Sequence, residues 1–198
     1  MSAFVLLLLA ACQGEAPAPV APEASRPADV AAPAEAPERI GLGRAATAEE
    51  ITAWDIDVDT RGHGLPPGSG TVADGKELYR TQCAACHGLA GEGGVGPQVI
   101  GKEPTGGFGE AWKGHPRTIG NWWPYATTVY DYVHRAMPQT APGSLTPDQT
   151  YALTAYLLAE NGAVPADFVA DATTLPAVQM PTKIAFVPDD REGSSGFR

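Results

Sequence analysis

This sequence predicts an all-α fold, a small helical domain framed by irregular segments, and three observations predict it. Val72, Gly75, Leu78 and Tyr79 recur at helical spacing just before a pair of cysteines. A helix over 126–136 runs directly into Met137-Pro138, where the proline biases the residue before it out of the helical region. A last helix opens at Thr146-Pro147-Asp148-Gln149, with Thr as N-cap, Pro at the first helical position and Gln three after the cap. It ends at Asn161-Gly162, a C-terminal stop signal. The chain has 198 residues, enough for one domain with extensions, and its 23 glycines and 19 prolines assign much of the rest to loops and linkers. The expected boundaries are 1–11, 12–39, 40–69, 70–162 and 163–198.

The first segment carries Phe4-Val5-Leu6-Leu7-Leu8-Leu9-Ala10-Ala11, apolar but far too short to span a bilayer. It reads as the apolar part of an export signal. Leu9-Ala10-Ala11-Cys12 resembles the bacterial lipoprotein signal, although no Lys or Arg precedes the apolar run. That resemblance implies cleavage before Cys12 and lipidation of its thiol; a plain export signal with an incidental cysteine is the alternative. The expected location is the periplasmic side of a bacterial membrane, anchored at Cys12. From Gln13 to Arg39 the chain is Pro-, Ala- and Glu-rich with almost no large apolar side chain, so it cannot offset its ordering entropy. As polyproline II these 27 residues would reach about 80 Å, at ~3.1 Å per residue. An irregular arm, 40–69, and a largely coil extension, 163–198, are expected to wrap and pack on the domain.

The central motif is Cys83-Ala84-Ala85-Cys86-His87, a C-x-x-C-H haem attachment sequence. Residues three apart on a helix share a face, so both sulfurs can reach the two vinyl groups on one haem edge. His87 is then carried towards the iron as its first axial ligand. A zinc site would want a second Cys/His pair, and no other cysteine remains in the core. A thioredoxin-like pair would not need the histidine and would sit in a βαβ pattern that is absent.

The second iron ligand must come from downstream. Met137 is the preferred candidate, because Pro138 releases it from the helix end and its flexible thioether can reach iron, as in His/Met cytochromes of raised potential. Met180-Pro181 is the alternative; His63, His115 and His134 are weaker candidates, the last two better suited to the surface or to haem propionates. Trp122, Trp123, Tyr125 and Tyr130 are candidates to wall the haem, and Arg135 to pair with a propionate.

These features resemble the class I cytochromes c, whose first and last helices cross at a Gly and an aromatic residue; Gly75, Tyr79 and Tyr156 are similar to that contact. Gly96-Pro97 resembles the loop whose proline carbonyl accepts a hydrogen bond from the axial histidine. A narrower resemblance covers about residues 51–187. It rests on Ile51-Thr52-Ala53-Trp54-Asp55, Gly64-Leu65-Pro66-Pro67-Gly68-Ser69-Gly70-Thr71-Val72 and Ile119-Gly120-Asn121-Trp122-Trp123-Pro124-Tyr125. Arg135-Ala136-Met137-Pro138, Ala141-Pro142-Gly143-Ser144-Leu145-Thr146 and Met180-Pro181 continue it. Together they look like the cytochrome subunits of bacterial sulfur-oxidation dehydrogenases. The resemblance implies that Met137 is the axial methionine and that electrons arrive from a molybdenum-cofactor sulfite or sulfane dehydrogenase. Some members of that group carry a second haem domain, whereas this chain has one C-x-x-C-H.

With His87 and Met137 both bound, iron has no open position for substrate, so the expected role is one-electron transfer rather than catalysis. The acceptor would be a cytochrome or oxidase. Two other functions compete. One is a membrane-tethered shuttle to a respiratory oxidase or photosynthetic reaction centre; the other is a haem sensor, which needs a displaceable ligand. A formal net charge of −10 disfavours nucleic acid as a partner. Between Gly88 and Met137 four basic residues (Lys102, Lys113, Arg117, Arg135) balance four acidic ones (Glu92, Glu103, Glu110, Asp131). A near-neutral docking face beside the haem is therefore expected, with the acidic excess elsewhere.

Overall fold

The computed structural model describes residues 42–104 and 113–183. The segments read above as an export signal and a tether, with Cys12, and the chain beyond 183 lie outside the described residues. The chain divides into two units, 1–44 and 45–198, and every element below belongs to the second.

Helix α1 spans Ala48–Trp54, strand β1 Ser69–Thr71, α2 Val72–Gln82 and α3 Ala84–His87. They are followed by α4 Ile119–Trp122, α5 Ala126–Ala136, α6 Pro147–Glu160 and strand β2 Val169–Asp171. A 3-10 turn, Leu175–Ala177, closes the described chain.

The starts of α1, α2, α4 and α6 follow from threonine side chains that satisfy otherwise unpaired backbone N–H groups. Thr71 caps α2 by accepting from the Asp74 amide, and Thr146 with Gln149 forms a reciprocal capping box on α6. Helix α5 ends where the sequence says it must: Met137 has φ −120° and ψ 147°, extended backbone ahead of Pro138.

Helix α6 is the axis of the core. Every residue from Thr150 to Leu158 is buried, so it is covered on all sides. Helices α2 and α5 and both strands pack against it. Its contact with α2 is so close that only glycine fits: a Cβ on Gly75 would stand 1.9 Å from the Ala152 carbonyl oxygen. Gly70 on β1 meets the same residue, its imagined Cβ 2.1 Å from the Ala152 amide nitrogen. The Tyr79 and Tyr156 rings meet beside this crossing, tilted by 45° with their centroids 5.2 Å apart.

Two segments hold more order than their composition suggests. The arm expected to be irregular contains α1, started by a Thr47–Glu50 capping box, and it is tied down where the Val58 amide donates to Asp131 of α5 at 2.9 Å. The C-terminal extension does not merely lie on the surface. Its strand β2 pairs antiparallel with β1, Gly70 opposite Ala170, and Ala170, Leu175 and Met180 join the buried core.

Candidate haem site

A cavity of about 400 Å³ opens among α3, the loop that follows it, the end of α5 and one side of α6. Cys83, Cys86, His87, Pro97, Trp123 and Met137 all line it, so these expected site residues come together. Its walls are otherwise largely aliphatic, with Val99, Ile119, Val129, Val133, Leu153 and Leu157 among them.

The motif is held locally. Cys83 ends α2 and begins α3, and Gly88, at φ 82°, ends α3 with a conformation that favours glycine. Tyr79 donates its hydroxyl to the Gly88 carbonyl at 3.0 Å, coupling α2 to the end of the motif. Cys83 is half-buried and Cys86 exposed. Burial pushes the Cys83 thiol up to about 11, with Cys86 adding to the effect. Among the described residues, no three His, Cys, Asp or Glu side chains gather as a metal-binding group.

His87 is oriented by backbone. Its Nδ1 donates to the Pro97 carbonyl oxygen at 2.7 Å, which fixes the tautomer and leaves Nε2 with a lone pair for a metal. The loop approaches the ring so closely that a Cβ on Gly96 would lie 2.9 Å from His87 Cε1. The Gly93 amide donates back to the His87 carbonyl at 2.7 Å, and the Gly96 amide to that of Cys86 at 2.8 Å.

Met137 is half-buried at the extended C-cap of α5 and is one of the residues lining the cavity. Met180 is 3% exposed, packed in the core and not among the lining residues, so it lacks the access that the alternative ligand needs. His63 is bonded to Asp59 at the surface, His115 is exposed, and His134 stacks on Tyr130 at 5.7 Å. None of the three lines the cavity.

Several expected wall residues sit elsewhere. Trp123 lines the cavity with Tyr132 edge-on at 5.7 Å, but Trp122 does not; its ring lies 4.0 Å beneath the Arg117 guanidinium. Tyr125 begins α5 away from the lining, with Lys183 Nζ 5.0 Å above its ring. Tyr130 is fully buried against Tyr151, centroids 4.5 Å apart, inside the core. Arg135 is bound through two nitrogens to Asp131, which also accepts from Val58, so it serves the arm rather than the cavity. Arg135 is the arginine expected to offer the site a positive charge; among the described lining residues the permanent charge is that of Arg117. Periodicity could not separate these two arginines, because Arg117 sits in an irregular stretch before α4.

Asn161, read from sequence only as a helix stop, clamps the roof of the site. Its side-chain oxygen accepts from the Gly101 and Gly120 amides at 2.9 and 3.0 Å. Its amide group donates to the Val99 and Leu157 carbonyls at 3.1 and 2.8 Å.

The donor set fits a covalently held haem: two thiols on one short helix, an imidazole with Nε2 left open, and a thioether, all lining an apolar cavity. The sequence pattern of the cytochrome c family matches residues 72–160. A chain in the crystal structure of the sulfane dehydrogenase SoxCD from Paracoccus pantotrophus is 46% identical, with a TM-score of 0.66. That match covers 79% of this chain and 75% of the other. No curated protein matches. The helical crossing at Gly75, the C-x-x-C-H motif at the cavity and these two likenesses together mean that the chain belongs to the class I c-type cytochromes, electron-transfer proteins that carry haem c.

Proposed function

We propose that this chain carries single electrons on one haem c and receives them from a molybdenum-cofactor sulfite or sulfane dehydrogenase. The observation that carries the first half is the convergence of Cys83, Cys86, His87 and Met137 on one cavity, with His87 preset by Pro97. Cys83 and Cys86 would hold the haem through thioether bonds, and His87 Nε2 and the Met137 sulfur would hold its iron. Iron ligated in this way changes valence by one electron and has no vacant position for substrate.

The protein's own residues then set the terms of the exchange. Pro97 holds the imidazole against rotation, which keeps its Nε2 aligned and raises its basicity. Aliphatic side chains from α5 and α6 exclude water, which favours the less charged, reduced state. Arg117 adds a positive charge at the lining and acts in the same direction. No step here needs an acid or a base, so the chain is a carrier rather than the catalytic subunit.

The second half of the proposal is supported by the 46% identity to a chain of a sulfane dehydrogenase over most of both sequences. Lipid anchoring at Cys12 on the periplasmic side of the membrane belongs to the same proposal. The test is purification from the native cells followed by stopped-flow spectroscopy. Copurification with a molybdenum protein is expected, as is reduction of the cytochrome by sulfite or a sulfane-sulfur substrate only when that protein is present. Reduction at the same rate without it, or by membranes alone, would contradict the donor assignment.

A further inference from the structure

Helix α1 is an anomaly of burial. Every residue from Ala45 to Asp57 is exposed, and the helix itself buries nothing. Its apolar side chains are large nonetheless: Trp54 is 87% exposed, Ile51 56% and Ile56 43%. Ile51 and Trp54 lie three residues apart and so share one face of the helix, and Ile56 follows two residues beyond Trp54. A seven-residue helix with a capping box and no packing is marginal by itself in water. The arm is nevertheless fixed just beyond this strip, where buried Val58 bonds to Asp131. The strip therefore sits beside an anchored residue, and none of its apolar side chains is buried among the described residues.

Two observations say what covers it. First, Glu49, Glu50, Asp55 and Asp57 border the strip, and no Lys or Arg occurs between 45 and 60. An anionic membrane surface would be repelled, whereas a protein groove with a basic border would be attracted. Second, the likeness to a sulfane dehydrogenase chain covers 79% of this chain, although the cytochrome c pattern occupies only 72–160. Even if every residue after 160 is counted, that match must take in part of the segment before Val72. The arm is thus shared with a chain of an enzyme assembly and is not an appendage of this one.

We propose that Ile51, Trp54 and Ile56 form a docking strip for the dehydrogenase subunit, seated in an apolar groove bordered by lysines and arginines. This rests on the donor assignment above. It separates holding the partner, done by the arm, from passing electrons, done at the cavity. Exposed tryptophans with an acidic border are suited to such anchoring.

The test uses the full chain with its haem and the molybdenum subunit from the same cells, with affinity measured by titration. Trp54→Asp should weaken binding about 30-fold or more, the range of a central aromatic contact. The visible spectrum, the midpoint potential and reduction by ascorbate should stay as in the wild type. Asp55→Lys with Asp57→Lys should slow association about 10-fold at low salt and lose that effect at high salt. Wild-type affinity in Trp54→Asp would overturn the docking strip and leave the donor assignment standing. A wild type that does not bind the molybdenum subunit would overturn both. A homodimer dissolved by Trp54→Asp, or loss of binding to phosphatidylglycerol vesicles in a Cys12→Ser background, with subunit affinity intact in either case, would also overturn it.

Discussion

Gly75 lies directly on Ala152: a Cβ built there would stand 1.9 Å from the Ala152 carbonyl oxygen and 2.5 Å from its carbonyl carbon. Backbone atoms cannot rotate away as a side-chain tip can. Gly75→Ala should therefore force α2 and α6 apart and lower stability by about 3 kcal/mol or more. Chemical denaturation of the haem-loaded protein measures this. Gly114→Ala is a useful contrast, since no described residue lies within 4 Å of a Cβ there and the expected cost is that of its φ of 81°.

Arg117 and Arg135 should behave oppositely. Arg117 lines the cavity, so Arg117→Gln removes a positive charge that favours the reduced state. The midpoint potential should fall by on the order of 50 mV, a Coulomb effect of about 1 kcal/mol at an effective dielectric near 20. Arg135→Gln should leave the potential unchanged, because that guanidinium is committed to Asp131. It should instead loosen the arm, seen as faster hydrogen exchange at the Val58 amide.

Asn161 makes four hydrogen bonds and is 1% exposed. Asn161→Ala strands the Gly101 and Gly120 amides, while the Val99 and Leu157 carbonyls keep the backbone amides of Ile119 and residue 161 as donors, so the loss should cost about 3 kcal/mol. Because Val99 lines the cavity, the loss should appear as a lower thermal midpoint together with easier displacement of the axial ligands.

Tyr130 is fully buried, and its hydroxyl has no partner among the described residues. Burial raises its phenol pKa well above 10, with smaller contributions from Tyr151 and Asp148. The sign follows from linkage. Below pH 10 the phenol is neutral whether folded or not; above it the unfolded chain releases the proton while the folded one keeps it. Stability should fall as pH rises past about 10. Tyr130→Phe should raise stability by about 1 kcal/mol at neutral pH and flatten that alkaline loss. Tyr151, pushed up to about 12 mainly by burial, contributes in the same window and survives in the variant.

The sequence made the local parts of this structure legible. Thr146 and Gln149 announce the start of α6, and Pro138 announces the end of α5, because each acts on backbone within a few residues. The C-x-x-C-H spacing and Gly96-Pro97 likewise carry the near side of the site within 15 residues, 83–97. What the sequence hid was long-range. The pairing of Gly70 with Ala170 joins residues 100 positions apart, and neither three-residue strand has a pattern long enough to read. Asp131 and Arg135, four residues apart on one helix, are a local match; what distance hid is that the same carboxylate accepts from the Val58 amide, 73 positions away. Asn161 reads as a helix stop in sequence and becomes a clamp only when the loop at 99–101 folds over it.

The most direct measurement is the spectrum and midpoint potential of Met137→Ala with its haem in place. The account predicts a clear fall in potential and carbon monoxide binding to the reduced protein at neutral pH, because the iron has lost its sulfur ligand and, apart from His87, no other His or Met among the described residues lines the cavity. An unchanged low-spin spectrum and an unchanged potential would contradict it, since some other side chain would then be holding the iron.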